Sequence, residues 1–311
     1  MTTPLYTRKT LALAKVETVY GTDAAPAAAN SLLISNATLT PLENDVAQRP
    51  YVKPYLGVTP DVPAASRVAL DFEVEIAGSG AAGTAPPWGA LLRACGFSET
   101  LSVGVSAVYA PVSSAFDSVT IYTFIDGLKH ALLGARGTVD FVFKDKAIPT
   151  MKFKFTGLYT TPADLANPSP VFTAWQTPLP MNNANTSAFS LFGYAGILSA
   201  MSLSMANNVV HRNLVGAEEI MITDRKPTGS LTIQAVHMAD KDFFGPVNSG
   251  TLGALGFTHG TPAGNKVLFN LPNVQLSKPT YGDQDGVRML QLGITATPSQ
   301  AGNDEISITV E

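Results

Sequence analysis

The sequence contains few charged residues. Asp, Glu, Lys and Arg together make up only 14% of its 311 residues, well below the quarter that is usual for soluble domains. The net charge is −4, so the chain lacks the basic character of proteins that bind nucleic acid through its phosphates. Two explanations fit this composition: a neutral soluble protein, or a protein whose surface largely contacts other protein copies, because interface cores are depleted of charge.

Cysteine and long hydrophobic runs are also scarce. The one cysteine, Cys95, excludes an intramolecular disulfide framework and fits assembly in a reducing cytoplasm. Because it lies in the apolar segment WGALLRACGF, we expect a buried structural thiol rather than a nucleophile. No stretch approaches the roughly 18 apolar residues of a membrane helix, and the N-terminus does not resemble a signal peptide. We therefore expect neither a membrane protein nor one exported through a cleaved signal.

Motifs of catalytic and metal sites are missing as well. The chain has no nucleophile elbow, Walker loop or dinucleotide-binding glycine motif. The neighbouring carboxylates of Glu218 and Glu219 would point to opposite faces of a strand. The histidines stand singly, without the spacing of metal ligands: they are His130, His211, His237 and His259. We therefore predict a protein that is not an enzyme, with no catalytic, cofactor-binding or metal-binding residues.

What the sequence does contain is a series of short strands separated by turns. Glycine and proline are plentiful, at 26 and 22 residues, and strand-like runs bounded by turn residues predict an all-β sandwich or barrel. Such runs occur at 31–42, 67–78, 118–127, 196–205, 229–236, 266–276, 287–298 and 305–310. One helix is predicted over 84–97, where prolines precede apolar residues at helical spacing and Gly96 follows them. A second, shorter helix is predicted within 238–245.

The clearest local pattern is a hairpin over residues 136–159. Hydrophobic and polar side chains alternate along both of its strands, which places one face on a core and leaves the other in solvent. The polar face carries Lys144, Lys152 and Lys154, an unusual concentration of lysine in a chain with so few charges. What this face contacts in the assembled protein is a question that the pattern alone leaves open.

Two parts of the sequence resemble each other. LTPLENDVAQR (39–49) resembles LSMANNVVHR (203–212), and each is followed by a loop, a strand, an apolar helical piece and closing strands. The closing strands end in TGLYTTP (156–162) and LGITATP (292–298). The same order of four features favours a duplication over chance similarity between strands. The duplication predicts a first β domain over 1–178, a linker over 179–189 and a second β domain over 190–311.

An ordered set of segments spans nearly the whole chain: KVETVYGTDAAP, PYVKPYLGVTP, FEVEIAGSG with PPWGALLRACGF, GARGTVDF with KFKFTGLY, and YGDQDGVRMLQLGITATPSQAGNDEISI. Together they resemble the tail tube proteins, or major tail proteins, of long-tailed, non-contractile bacteriophages. The resemblance implies a β-sandwich or half-barrel with one flanking helix. It also implies that subunits join their sheets into a ring-shaped barrel around a channel, and that the rings stack to form the tail.

The resemblance carries expectations about function and partners. The protein would be a structural virion protein, assembled in the host cytoplasm, whose tube conducts the genome into the host with DNA as a non-specific passenger. Its partners would be further copies of itself and other tail proteins, such as the tape measure and the tail terminator. Because lysines that bind phosphate would slow the movement of DNA, we expect Lys152 and Lys154 to lie outside the channel or in ion pairs between subunits.

The duplication bears on the number of subunits in a ring. Tube rings in this family are usually hexameric with one tube domain per subunit. Two fused domains would need only three chains and would give a pseudo-six-fold ring, whereas six chains would be needed if the second half were an outward decoration or if the two halves were not a true repeat. A different alternative is a virion or surface β-sandwich for decoration or adhesion. It would need exposed aromatic platforms for glycans, and only Trp88 and Trp175 are available.

The candidate contact residues lie in the loops. A long loop between consecutive predicted strands, roughly residues 43–66, carries Arg49, Tyr51, Lys53 and Tyr55. We expect this loop to contact a neighbouring ring, because Tyr and Arg are favoured at protein interfaces. Arg212, in the corresponding loop of the second half, is a further candidate for contact between subunits. The alternative is a loop that is merely solvated.

Overall fold

The computed structural model describes residues 4–311, and antiparallel strands dominate this part of the chain. The strands, numbered β1 to β19 in chain order, span Thr10–Val16, Ser31–Leu32, Ser35–Ala47, Val62–Glu75, Phe97–Ser102, Ser106–Pro111, Val119–Ile125, Leu128–Lys144, Thr150–Tyr159, Ala163–Asp164, Thr186–Leu191, Leu198–Ser204, Asn208–Leu214, Ala217–Asp224, Thr228–Gln234, Gly253–His259, Val267–Gln284, Val287–Ala296 and Ser307–Val310. The described residues also form two short helices, α1 (Gly89–Ala94) and α2 (Phe244–Ser249). The predicted all-β fold is confirmed.

Helix α1 lies within the segment predicted to be helical. Its Leu91 and Leu92 are fully buried, and the indole of Trp88, just before it, donates a 2.8 Å hydrogen bond to the carbonyl of Ala77. Gly96 follows with a φ of +82°, a left-handed conformation that ends helices and favours glycine. Helix α2 begins only at the end of the segment 238–245, so the second prediction was several residues too early.

The predicted hairpin over 136–159 is formed by β8 and β9, which pair from Leu132 opposite Tyr159 to Val142 opposite Thr150. Its alternating hydrophobic side chains are all buried, as the pattern predicts: they are Val139, Phe141, Phe143, Met151, Phe153 and Phe155. The hairpin continues through β9 to β4 and through β4 to β3. It therefore lies in the middle of a sheet, with neighbours on both sides.

The two halves of the chain use the same order of strands. In the first half, hydrogen-bonded neighbours run β3-β4-β9-β8-β7-β1. In the second half they run β12-β15-β18-β17-β16-β11. The end of β8 pairs with β12, so the two sets join into one continuous sheet. The segment 179–189 between them is anchored, because Met181 is buried and its backbone exchanges hydrogen bonds with Lys146 and Ala147.

The main hydrophobic core extends across both halves. The ring of Phe143 packs edge to face on the rings of Phe257 and Phe269 from the second half, at 4.9 Å between centroids in each case. Such aromatic pairs contribute beyond the area that they bury. The two halves therefore stabilise each other through side chains as well as through strand pairing.

We predict that Phe143→Ala destabilises the unassembled chain by about 3–5 kcal/mol, the usual cost of removing a buried phenylalanine ring. Urea denaturation followed by circular dichroism measures this change. Val142→Ala is the matched control on the opposite face of the same strand, where the side chain is only partly buried, and should cost no more than about 1 kcal/mol. Similar losses in the two variants would contradict a core shared between the halves.

Candidate functional site

A two-stranded arm, residues 43–66, projects from the edge of the sheet. From Arg67 onward β4 pairs with both β3 and β9, whereas before Arg67 it pairs with β3 alone. At the base of the arm the guanidinium of Arg67 contacts the carboxylates of Glu43 (2.9 Å) and Asp45 (3.0 Å). These hydrogen bonds raise the pKa of Arg67 above its usual value. They hold the two strands together where the neighbouring strand β9 ends.

The tip of the arm carries the four residues predicted to form contacts. The guanidinium of Arg49 lies 4.9 Å from the ring centre of Tyr51 and donates a 3.2 Å hydrogen bond to its hydroxyl. The ammonium of Lys53 lies 5.7 Å from the ring centre of Tyr55. Both tyrosines are more than half exposed, at 61% and 66%. Cation–π contacts at such exposed sites contribute only about 0.5–1 kcal/mol, so the pairs order the tip without burying it.

Hydrophobic side chains at the tip are even more exposed. Val52, Leu56 and Val58 are almost completely accessible to solvent. Single exposed hydrophobic residues are common, but a group within one loop marks a surface that contacts another molecule. Arg49, Tyr51, Lys53 and Tyr55 thus lie together on an uncovered surface, and their role in contact between subunits remains a prediction.

Arg212 belongs to a different element, the hairpin of β13 and β14. Its guanidinium is exposed and contacts the sulfur of Met221 at 3.9 Å. The hairpin itself packs on the first half of the chain, where Ile220 is fully buried and its carbonyl accepts a 2.8 Å hydrogen bond from Arg136. The structure therefore places Arg212 apart from the arm, on a hairpin that is already docked.

The strand row β3-β4-β9-β8-β12-β15-β18-β17 has an open edge at each end. In residues 4–311, β3 pairs with β4 alone, so its other edge is free. The final part of β17, from Gln275 to Gln284, pairs only with β18. Unpaired backbone groups of this kind accept another strand readily. A chain with one free edge at each end of its sheet can join head to tail with further copies.

The face of the sheet that is opposite the core carries a polar region from β4 to β17. One row crosses seven strands from β4 to β17 and consists of Glu73, Lys152, Asp140, Ser204, Thr228, Thr295 and Gln275. The ammonium of Lys152 lies 2.9 Å from the carboxylate of Glu73, and Lys154 stands opposite Asp71. The ion pair of Lys152 thus lies within one chain, whereas the sequence led us to expect Lys152 and Lys154 either outside the channel or in ion pairs between subunits.

The polar side chains in the interior serve the fold. The carboxylate of Glu17 is buried and accepts hydrogen bonds from four donors at 2.6–2.8 Å, which are the hydroxyls of Ser118 and Thr120 and the amides of Gly21 and Gly134. These hydrogen bonds join the loop after β1 to β7 and β8. Sequence reasoning did not find it, because a single glutamate in a polar segment resembles an exposed residue.

Reactive groups do not converge in the part of the chain that the structure describes. Between residues 4 and 311 no three His, Cys, Asp or Glu side chains group as a metal site requires. Cys95 is buried as expected, and burial raises the pKa of its thiol well above the usual value. A search of the helices over the same range finds none that is both long and apolar enough to span a membrane.

Comparison with protein families identifies the relationship. The model of the family described as phage tail tube protein matches residues 7–309, nearly the whole chain. The chain belongs to the phage tail tube protein family. A comparison with curated protein sequences finds no match. Membership confirms the resemblance drawn from the sequence and makes this tail tube protein a structural component of the bacteriophage virion, with the family's place in the tail.

The buried histidine of this tail tube protein provides a test of its structural role. His259 accepts a hydrogen bond at Nδ1 from Thr186 and donates one from Nε2 to the carbonyl of Leu179, each at 3.0 Å. Burial lowers the pKa of His259. The unfolded chain therefore binds the proton more tightly, and the free energy of unfolding should fall as the pH drops below about 6.5, the usual histidine pKa.

We predict that His259→Gln weakens this loss of stability between pH 7 and pH 5. Burial also lowers the pKa of His130, so part of the loss should remain. His237→Gln is the matched control, because His237 is exposed and the substitution removes a histidine without changing the interior. Thermal unfolding across the pH range measures both variants. A His259→Gln variant with the wild-type pH dependence would show that the buried imidazole does not carry it.

Proposed function

We propose that this tail tube protein self-assembles into rings that stack into the tail tube, the conduit for delivery of the phage genome into the host. Family membership supports the tube role, and the two open edges of the sheet, on β3 and β17, carry the proposal for assembly. A strand row with an unpaired edge at each end is stabilised when neighbouring copies cover both of these edges, and a closed ring leaves neither of them exposed.

We propose three chains in each ring. The repeated strand order supports two tube domains in one chain, with boundaries near 1–178 and 190–311 and residues 179–189 as the connection. Each domain contributes one sixth of the barrel, so three chains close a pseudo-six-fold ring. The pairing of β8 with β12 supplies a junction between successive domains inside the chain. A second domain that decorated the outside would not share a continuous sheet with the first.

The polar face of the sheet is the surface that we propose lines the channel. The opposite face is covered by the core and by helix α1, so the polar face is the one that a closed barrel can turn inward. This proposal replaces the expectation that Lys152 and Lys154 lie outside the channel. The ammonium of Lys152 lies 2.9 Å from the carboxylate of Glu73, Lys154 stands opposite Asp71, and the second half contributes mainly hydroxyl and amide side chains. Such a surface offers few free positive charges to phosphates and suits DNA as a non-specific passenger.

The arm is the element that we propose bridges successive rings. Its exposed tyrosines and hydrophobic residues, 49–58, have the composition of interface centres. The ends of the stack would contact other tail proteins, including the tape measure and the tail terminator, with assembly in the host cytoplasm. The alternative of a glycan-binding module is not favoured, because Trp88 is buried and the indole of Trp175 donates a 2.9 Å hydrogen bond to the carbonyl of Ser31.

The arm proposal predicts that a variant with Arg49→Ala, Tyr51→Ala and Tyr55→Ala folds but no longer forms long tubes. The three side chains are exposed, so stability should change by less than about 0.5 kcal/mol. Negative-stain microscopy at equal protein concentration measures tube length, and circular dichroism measures folding. Tyr6→Ala, which removes an exposed tyrosine that lies beside Lys9, is the control and should form normal tubes. Wild-type tubes from the triple variant would contradict the arm assignment.

The ring proposal predicts three-fold symmetry with pseudo-six-fold features in images of the tube. Averaging of the tube by electron microscopy, with the symmetry determined from the images, measures this directly. Six identical subunits in each ring would overturn the two-domain interpretation but leave the tube function in place. Absence of rings and tubes from the purified protein would count against the proposed assembly as a whole.

A further inference from the structure

The junction between β8 and β12 shows how one half of the chain joins the next. Five consecutive residue pairs run antiparallel from Lys144 opposite Ala200 to Asp140 opposite Ser204. On the core side of the junction Phe141 stands opposite Leu203, and both side chains are completely buried. The long strand β8, which forms a hairpin with β7, thus covers the edge of β12 in the second half.

The second half presents the same long strand without a partner. β17 pairs with β16 at its start and with β18 in its later part, as β8 pairs with β7 and β9. β8 pairs with β12 on the same side as β7. On the equivalent side of β17, the described residues provide no strand after β16 ends. β3, which occupies the place of β12 in the first half, also has a free edge. Each chain therefore carries both sides of a second junction.

The equivalence of the halves fixes a register for that junction. β7 and β16 are each irregular at the same place, opposite Ala135 and Val274 respectively. From this common position, the pairing of β8 with β9 and of β17 with β18 makes Phe153 the equivalent of Leu292. The pairing with the next strands, β4 and β15, makes Phe72 the equivalent of Leu231, and all four side chains are buried. An additional irregularity in β17 shifts its last part by one residue. With this shift, Asp140 corresponds to Thr280 and Phe141 to Tyr281.

The same matching assigns the positions on β3. Leu70 corresponds to Gly229, and these residues pair with Leu39 and Leu203 respectively. Leu39 is therefore the counterpart of Leu203, and Thr40 is the counterpart of Ser204. The register between β17 and β3 is thus derived only from strand pairs within one chain.

We propose, on the basis of the ring assembly proposed above, that the end of β17 pairs with β3 of a second copy of this chain, antiparallel, with Tyr281 opposite Leu39 and Thr280 opposite Thr40. The side chains at the two edges fit this pairing. Tyr281 is 60% exposed, lies 6.2 Å from the ring of Phe244 on helix α2, and stands opposite the buried core residue Leu290. Leu39 packs on the margin of the same core from the other end of the sheet.

Cross-linking tests the register in the full chain. Thr40→Cys with Thr280→Cys should give disulfide-linked multimers when assembled tubes are oxidised, because directly opposed residues bring their Cβ atoms within reach of a disulfide. The multimers should end at a covalent trimer on a non-reducing gel. Ser204→Cys with Asp140→Cys is the matched control at the equivalent junction within the chain, and it should give a compact monomer. The native Cys95 is buried and does not compete.

A shifted pair measures the specificity of the register. Thr38→Cys with Thr280→Cys moves one partner by two residues on the same face and should give at least ten-fold less multimer. Multimers from the shifted pair instead of the matched pair would overturn the proposed register. The register would also be overturned if tubes of the matched pair gave no multimers while the control pair within the chain formed its disulfide. If the wild-type chain forms no rings, the assembly proposal fails, and the register fails with it.

Hydrogen exchange on the wild-type chain provides a measurement without substitutions. Amides of residues 36–40 and 280–284 that point away from β4 and β18 should exchange at least ten-fold more slowly in tubes than in the unassembled chain, because strand pairing protects them. Unchanged exchange in these two segments, in tubes whose arm residues become protected, would overturn the pairing and leave the tube function standing.

Discussion

The antiparallel pairing of β8 with β12 is the interaction on which the rest of the structure depends. It joins two sets of strands with the same order into one sheet, and it buries Phe141 and Phe143 against Met201 and Leu203. Without this pairing each half would expose a hydrophobic strand edge, the feature that makes isolated sheets aggregate. The continuous core and the position of the two open edges both follow from this one junction.

The equivalent connections of the two halves have taken different conformations. In the first half the connection between β3 and β4 projects as the arm. Its base is held by the ion pairs of Arg67 with Glu43 and Asp45. In the second half the connection between β12 and β15 forms the β13–β14 hairpin, which returns to the chain because Ile220 and Ile222 are buried against the first half. The hairpin has a hydrophobic face to bury within the chain, whereas the hydrophobic residues of the arm remain uncovered.

The elements that could be predicted are those with a complete local pattern. The β8–β9 hairpin alternates without a break, and α1 has both its apolar spacing and its terminating Gly96. Other elements were missed for identifiable reasons. β1 is a short apolar run that is buried on both faces, so it lacks the alternation that identifies a strand. β13 and β14 lie in a polar segment that was interpreted as a loop. They pair only with each other and bury only a few residues, so their sequence lacks the hydrophobic pattern of a core strand.

The sequence by itself determined the fold class, the alternating faces of the strands and the family, because these depend on the spacing of side chains along the chain. It also placed Arg49, Tyr51, Lys53 and Tyr55 in one loop. Only the tertiary structure decided that β8 meets β12, that Lys152 pairs with Glu73 within the chain, and that Arg212 lies on a docked hairpin. These contacts join residues far apart in sequence, and strand pairing through the backbone leaves little trace in the side chains that form it.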